Sequence, residues 1–140
     1  MSNSEKILKI AKKNVLINDV DIEMKSGDLL NPFLEKNLKA DFFVCNPPYI
    51  SKMEYDDLDI SVKDFEPKKA LTPGETGLEI YKRLSIDLKN VLNKNAKIFL
   101  EIGYLQKEQV LKIFDKESFK NSKIILDYSN KDRFFFSEIV

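Results

Sequence analysis

The chain has 140 residues, 43% of them hydrophobic and 33% charged, with 23 basic and 23 acidic side chains and no histidine. That balance suits a single soluble globular domain and excludes a disordered chain; no apolar run approaches the ~20 residues of a membrane helix. A formal net charge of zero argues against a dedicated nucleic-acid binder, and the lack of histidine removes the usual general base, the Ser-His and Cys-His nucleophile pairs and most transition-metal sites. Cys45 is the only cysteine, so neither an internal disulfide nor a cysteine-rich zinc site is possible within the chain. The opening "MSNSEKILKI" lacks a signal-peptide core, from which a cytoplasmic location is expected.

In chain order, Ser2 or Ser4 can cap a first helix, and Ser2 with Glu5 has capping-box spacing. Ile7, Leu8, Ala11 and Val15 fall on one helical face, and Asn14 and Asn18 mark the exit. "VDIEMK", Val20 to Lys25, alternates apolar and polar residues and predicts a strand. A short helix or ordered loop follows over 29–38, with Pro32 near its start. "ADFFVC", Ala40 to Cys45, is almost continuously apolar, the pattern of a strand covered on both faces. The polar, proline-containing stretch 46–74 predicts an insertion over the strand ends. Leu78, Tyr81, Leu84, Leu88, Val91 and Leu92 recur at helical spacing, and "AKIFLEI", Ala96 to Ile102, predicts a second buried strand. Val110, Leu111 and Phe114 belong to another helix; "KIILDY" and "RFFFSEIV" then form an antiparallel pair, because so few residues connect them. The alternation predicts one α/β domain over residues 1–140, a mostly parallel sheet with helices on both faces and a terminal hairpin.

Chemistry concentrates at "NPPY", directly after "DFFVC". In open parallel sheets, ligands bind outside the carboxyl ends of the strands, where Asn46 falls. Pro47 and Pro48 fix two φ angles and have no N–H, so their carbonyls can serve as rigid acceptors. Asn46 offers an acceptor oxygen and two donors, and Tyr49 a flat ring and a hydroxyl. A planar amide or amino nitrogen carries two N–H groups, which the Asn46 side-chain oxygen and the Pro47 carbonyl can accept while Tyr49 stacks on its plane. Its lone-pair direction then remains open to an electrophile, as transfer of a methyl group to a weakly nucleophilic nitrogen requires. Positioning alone can supply about 7–11 kcal/mol of such catalysis, with no need for imidazole. A Pro-Pro pair can also simply end a strand.

The sequence resembles the amino-methyltransferases that use S-adenosylmethionine and carry "NPPY" after a hydrophobic strand. Its flanks, "DFEPKKAL", "GETGLEIYKRL", "FLEIGYLQ" and "NKDRF", together with "ILKIAKKNV" near the start, are similar to the C-terminal portion of the HemK-type family. That family methylates the glutamine of the Gly-Gly-Gln loop in peptide-chain release factors, in translation termination. The resemblance implies a Rossmann-like S-adenosylmethionine-dependent methyltransferase fold with strand order 3-2-1-4-5-7-6. It implies that Asn46, Pro47, Pro48 and Tyr49 grip the substrate amide, with Asn46 and Tyr49 catalytic, and that Asp28, Leu29 and Asn46 face the cofactor. A release factor is the implied partner; neither a metal nor a membrane is implied.

Several features depart from the family pattern. Gly27, Gly74, Gly77 and Gly103 are the only glycines, and none forms a G-x-G loop after a strand. The first two strands and the glycine loop are therefore expected to be missing, and Ser2 falls where an acidic ribose ligand would stand. An adenine methyltransferase acting on DNA or RNA is a second reading. Against it, the insertion carries six acids, Glu54, Asp56, Asp57, Asp59, Asp64 and Glu66, and four lysines, Lys52, Lys63, Lys68 and Lys69, a rim that repels phosphates. A catalytically dead remnant that only binds a partner is a third. Glu101, Asp132 and Arg133 have bland explanations as strand-end and hairpin residues, as do Cys45 and the Phe134–Phe136 run as core.

Overall fold

A computed structural model describes residues 5–57 and 68–140. The expectations placed on Ser2, Ser4, Asp59, Lys63, Asp64, Glu66 and Pro67 fall outside the described residues. The chain divides into two units, Met1–Leu38 and Lys39–Val140.

In the first unit, α1 spans Glu5–Ile17. The Asn18 side chain donates to the Asn14 carbonyl at 2.8 Å, as does its backbone N–H at 3.0 Å, closing the helix where the two asparagines predict. Leu8, Ala11 and Val15 are half-buried on one face, whereas Ile7 on the same side is exposed. Val20 to Lys25 forms no strand, correcting the expectation from alternation; Val20 and Ile22 are exposed. A strand persists only where a neighbour satisfies its backbone. Among the described residues no strand pairs with this segment. The short helix α2, Asn31–Leu34, then forms with Pro32 in its first turn.

In the second unit the elements are β1 (Ala40–Cys45), α3 (Lys52–Asp56), α4 (Lys68–Leu71), α5 (Glu79–Val91), β2 (Leu92–Glu101), α6 (Lys107–Ile113), β3 (Phe119–Leu126) and β4 (Asp132–Ile139). They form a four-stranded sheet ordered β1-β2-β4-β3, the 4-5-7-6 portion of the order implied by the resemblance. β1 pairs parallel with β2, with Phe42 opposite Lys97 and Cys45 opposite Leu100. β2–β4 and β3–β4 are both antiparallel. The sheet is thus mostly antiparallel, contrary to expectation, because the terminal hairpin inserts β4 beside β2.

Helices α5 and α6 cover one face. Tyr81, Leu84, Leu88 and Val91 of α5 and Val110 of α6 are buried, as are Ile98, Leu100, Phe135 and Ile139 of the sheet. Phe114 ties these layers, its ring 4.6 Å from that of Phe135 and 5.0 Å from that of Phe119. Ser137, fully buried, is satisfied by the Ser122 hydroxyl at 2.9 Å and the Lys120 carbonyl at 3.2 Å.

The opposite face is largely bare. Phe42 is 64% exposed and Val44 77%, and Phe99 and Phe134 are exposed beside them. β1 is therefore not covered on both faces, and only Phe135 of the three consecutive phenylalanines is core. Apolar residues at consecutive strand positions necessarily face both ways, but α5 and α6 both lie on one side. On the bare face Lys123 lies over the Phe136 ring at 5.2 Å, shielding it with its alkyl stem. Truncating Phe135 removes the centre of the covered layer. Phe135→Ala is expected to cost about 3–5 kcal/mol, read as a lowered urea midpoint with little change in slope.

Candidate active site

The parallel pairing of β1 and β2 sends both strands to the same edge of the sheet, so Asn46 and Glu101 emerge together. β1 ends at Cys45, whose thiol is pushed up in pKa by burial, and the chain continues as an irregular loop. Pro47 is buried and seats this loop, whereas Asn46 is exposed. Asn46, Pro47, Pro48, Tyr49, Ile50, Ala70 and Leu71 line a cleft of about 260 Å³. The structure thus brings together the four residues of "NPPY". A broader groove between α6 and β3, lined among others by Glu108, Lys112 and Phe119, contains none of the expected site residues.

Beyond Tyr49 the loop is fixed by ordinary backbone chemistry. The Ile50 N–H donates to the Leu71 carbonyl at 3.0 Å. Ser51 then caps α3 in a reciprocal capping box, accepting from the Glu54 N–H at 3.2 Å while its own N–H donates to the Glu54 carboxylate at 2.9 Å. Before α5, whose N-cap Leu78 has no side-chain cap, the Thr76 N–H donates to Glu79 Oε1 at 2.8 Å and the Thr76 hydroxyl accepts from the Leu78 N–H at 3.3 Å. On the segments flanking the cleft, Glu54, Asp56, Asp57 and Glu75 are exposed, Lys52 pairs with Glu75 at 3.0 Å, and Lys68 and Lys69 open α4.

Tyr49 is held at both ends. Its hydroxyl donates to Glu101 Oε1 at 3.0 Å and accepts from Arg133 Nη1 at 3.2 Å. Its backbone carbonyl accepts from Gln106 Nε2 at 2.8 Å. Burial, and then the bond to Glu101, push the phenol above its usual pKa, while Arg133 acts the other way. Gln106 is itself buried; its Nε2 also donates to the Gly77 carbonyl at 3.4 Å, and its Oε1 accepts from the Gly103 N–H at 3.0 Å. One amide thus ties the loop after β1, the bend before α5 and the turn after β2. Arg133 is braced by the Ile102 carbonyl at 3.3 Å and by Asp127 at 3.5 Å, so its partner is Asp127 across the hairpin turn rather than its neighbour Asp132, which lies 3.7 Å from Lys107.

Sequence reasoning assigned Glu101 and Arg133 no role toward Tyr49 and missed Gln106 altogether. The contact of Gln106 with Tyr49 spans 57 residues and that of Arg133 spans 84, so no local pattern announces either. Asp28 and Leu29 lie in the Met1–Leu38 unit, in the turn leading into α2. Leu29 has φ +48°, a conformation that a leucine rarely adopts and that gathers at binding sites.

No family model matches the chain. A release factor glutamine methyltransferase of Bacillus anthracis is 38% identical over 138 residues, 97% of this chain and 48% of that protein. Among solved structures, a release factor-specific protein-(glutamine-N5) methyltransferase from Alicyclobacillus acidocaldarius is 24% identical with a TM-score of 0.52, covering 79% of this chain and 55% of that one. SMU.776, complexed with SAH, is 12% identical with a TM-score of 0.56, covering 99% and 38%. The chain therefore has the fold of the S-adenosylmethionine-dependent methyltransferases over the part it spans. In sequence it is a relative of the release factor glutamine methyltransferases, and it spans about half the length of the curated relatives it matches.

Gly77 has φ +76°, and a Cβ there would lie 2.2 Å from the Tyr49 carbonyl oxygen and 2.8 Å from Gln106 Nε2. Gly77→Ala is expected to cost at least about 1–2 kcal/mol in urea unfolding and to break the Gln106–Tyr49 bond. Faster amide exchange around residues 49–52 would report that break.

Proposed function

We propose that the complete protein transfers a methyl group from S-adenosylmethionine to the side-chain amide of the glutamine in the Gly-Gly-Gln loop of peptide-chain release factors. The observation that carries this reading is the cleft at the carboxyl end of β1, lined by Asn46, Pro47, Pro48 and Tyr49. The sequence relatives, named for this activity, support it. The SAH in the SMU.776 complex supports the cofactor.

The exposed Asn46 side-chain oxygen and the Pro47 carbonyl each accept one N–H of the substrate amide. This orients the nitrogen and withdraws its hydrogens from the direction of attack. The Tyr49 ring lies against the amide plane. When bound, S-adenosylmethionine supplies a methyl on a positively charged sulfur, which departs as a neutral thioether as the nitrogen takes the methyl. Asn46 is assigned to the cofactor side; within the Met1–Leu38 unit, the positive-φ turn at Leu29, next to Asp28, fits a cofactor-binding role of its own. The nitrogen must also release a proton. Tyr49 is a poor acceptor for it, because its hydroxyl already donates to Glu101 and accepts from Arg133. No carboxylate or amine lines the cleft among the described residues, so the proton is assigned to water. Catalysis then consists of orientation, which is sufficient for large accelerations.

The excess of acids over lysines in the insertion favours a protein over a nucleic-acid substrate, since phosphate neutralisation dominates nucleic-acid affinity. A release-factor substrate would place the activity in the cytoplasm. Incubating the protein with labelled S-adenosylmethionine, a release factor and DNA or RNA in parallel tests the assignment. Label is expected in the factor alone, and Asn46→Ala should lower it by about a hundredfold or more with an unchanged far-ultraviolet spectrum. Label in nucleic acid, or near-normal transfer by Asn46→Ala, would refute it.

A further inference from the structure

We infer that Arg133 and Glu101 are positioning residues that act through Tyr49: together they clamp its hydroxyl and so fix the angle of its ring against the substrate amide. The inference rests on reading the cleft as an amide site.

A tyrosine ring on a loop can swing about two side-chain torsions. Proline restraint of the preceding backbone limits the Cα position but neither torsion. What fixes the ring here is its far end. Glu101 accepts from the hydroxyl at 3.0 Å and Arg133 donates to it at 3.2 Å, so both hydrogen-bonding directions of the phenol are in use. The two clamping groups stand 4.0 Å apart, too far for a direct hydrogen bond, and the hydroxyl bridges them. Each is seated on the sheet: Glu101 ends β2, and Arg133 is the second residue of β4, where the next residue, Phe134, pairs with Glu101 in register. The Arg133 guanidinium is further aimed by the Ile102 carbonyl at 3.3 Å and Asp127 at 3.5 Å. The Tyr81 hydroxyl, from α5, donates to the Glu101 carbonyl at 2.8 Å and steadies the other partner.

This is more apparatus than a loop anchor needs, because Gln106 already secures the Tyr49 backbone at 2.8 Å. A second clamp at the hydroxyl adds control of ring orientation. A ring that stacks on an amide plane needs such control, since orientational errors of this kind cost reactivity steeply.

The decisive experiment has two arms. In the first, the phenolate absorbance of the protein is titrated for Arg133→Lys, Arg133→Met and Glu101→Gln, each compared with its Tyr49→Phe counterpart to isolate Tyr49. Removing the cationic donor should raise the Tyr49 midpoint, and removing the carboxylate should lower it. Shifts of opposite sign are expected of direct partners and not of general loosening. In the second arm, methyl transfer to a Gly-Gly-Gln peptide is measured for the same set. Arg133→Met is expected to lower kcat about tenfold or more when Tyr49 is present and less than about twofold in the Tyr49→Phe background. Arg133→Lys, which keeps the charge but not the fork, should fall between. An unmoved Tyr49 midpoint in Arg133→Met would overturn the inference, and so would an equal loss of kcat in both backgrounds. If the parent protein fails to methylate the peptide, the proposed function fails instead, and the titration arm alone decides whether the clamp exists.

Discussion

The site depends on one constraint, the parallel register that sets Cys45 opposite Leu100. Because the two strands run the same way, they end at the same edge. Asn46 and Glu101 therefore leave the sheet side by side although 55 positions separate them. The buried layer of Ile98, Leu100 and Phe135 against α5 and α6 holds that register, since a slip by one residue would turn every core side chain outward. The short proline-braced loop then needs only to project from a fixed point. Tyr49 can meet Arg133 of β4 because β4 lies on the other side of β2, within reach of the same edge.

These 140 residues include no histidine, and the proposed reading asks orientation of them instead; the surroundings of Tyr49 show how its side chain is held. Charged groups near the cleft are occupied with one another or with the loop: Arg133 with Asp127, Glu101 with Tyr49, Lys52 with Glu75. They stiffen the frame and leave no carboxylate or amine on the cleft wall among the described residues. Asn46 and the two prolines, whose amide and carbonyl groups do not ionise, line the cleft instead. Such groups present the same hydrogen-bonding character over the ordinary pH range.

Much of this was legible in the sequence. The helical spacing of Tyr81, Leu84, Leu88 and Val91 marks α5, and the apolar runs mark β1 and β2, because burial of one face imposes a period. "NPPY" was legible because proline and asparagine restrict the backbone locally. Three things were not. Val20 to Lys25 alternates like a strand, but alternation says nothing of whether a neighbour exists to pair with it. The bare face of the sheet was hidden because Phe42 and Val44 are as apolar as residues under a helix. Finally, Gln106 and Arg133 act at long sequence distance, and neither periodicity nor spacing records which loop a side chain will reach.

Gln106 uses a single terminal NH2 to face two carbonyls, those of Tyr49 and Gly77. Deamidation to glutamate would replace that donor with an oxygen bearing negative charge, set against two carbonyl dipoles that repel it. The loss would be a single-atom exchange, invisible to the fold's hydrophobic layer, yet it would push apart the turns that flank the cleft. Chemical ageing at one interior amide could therefore silence the site while the molecule still appears intact by gross spectroscopic measures.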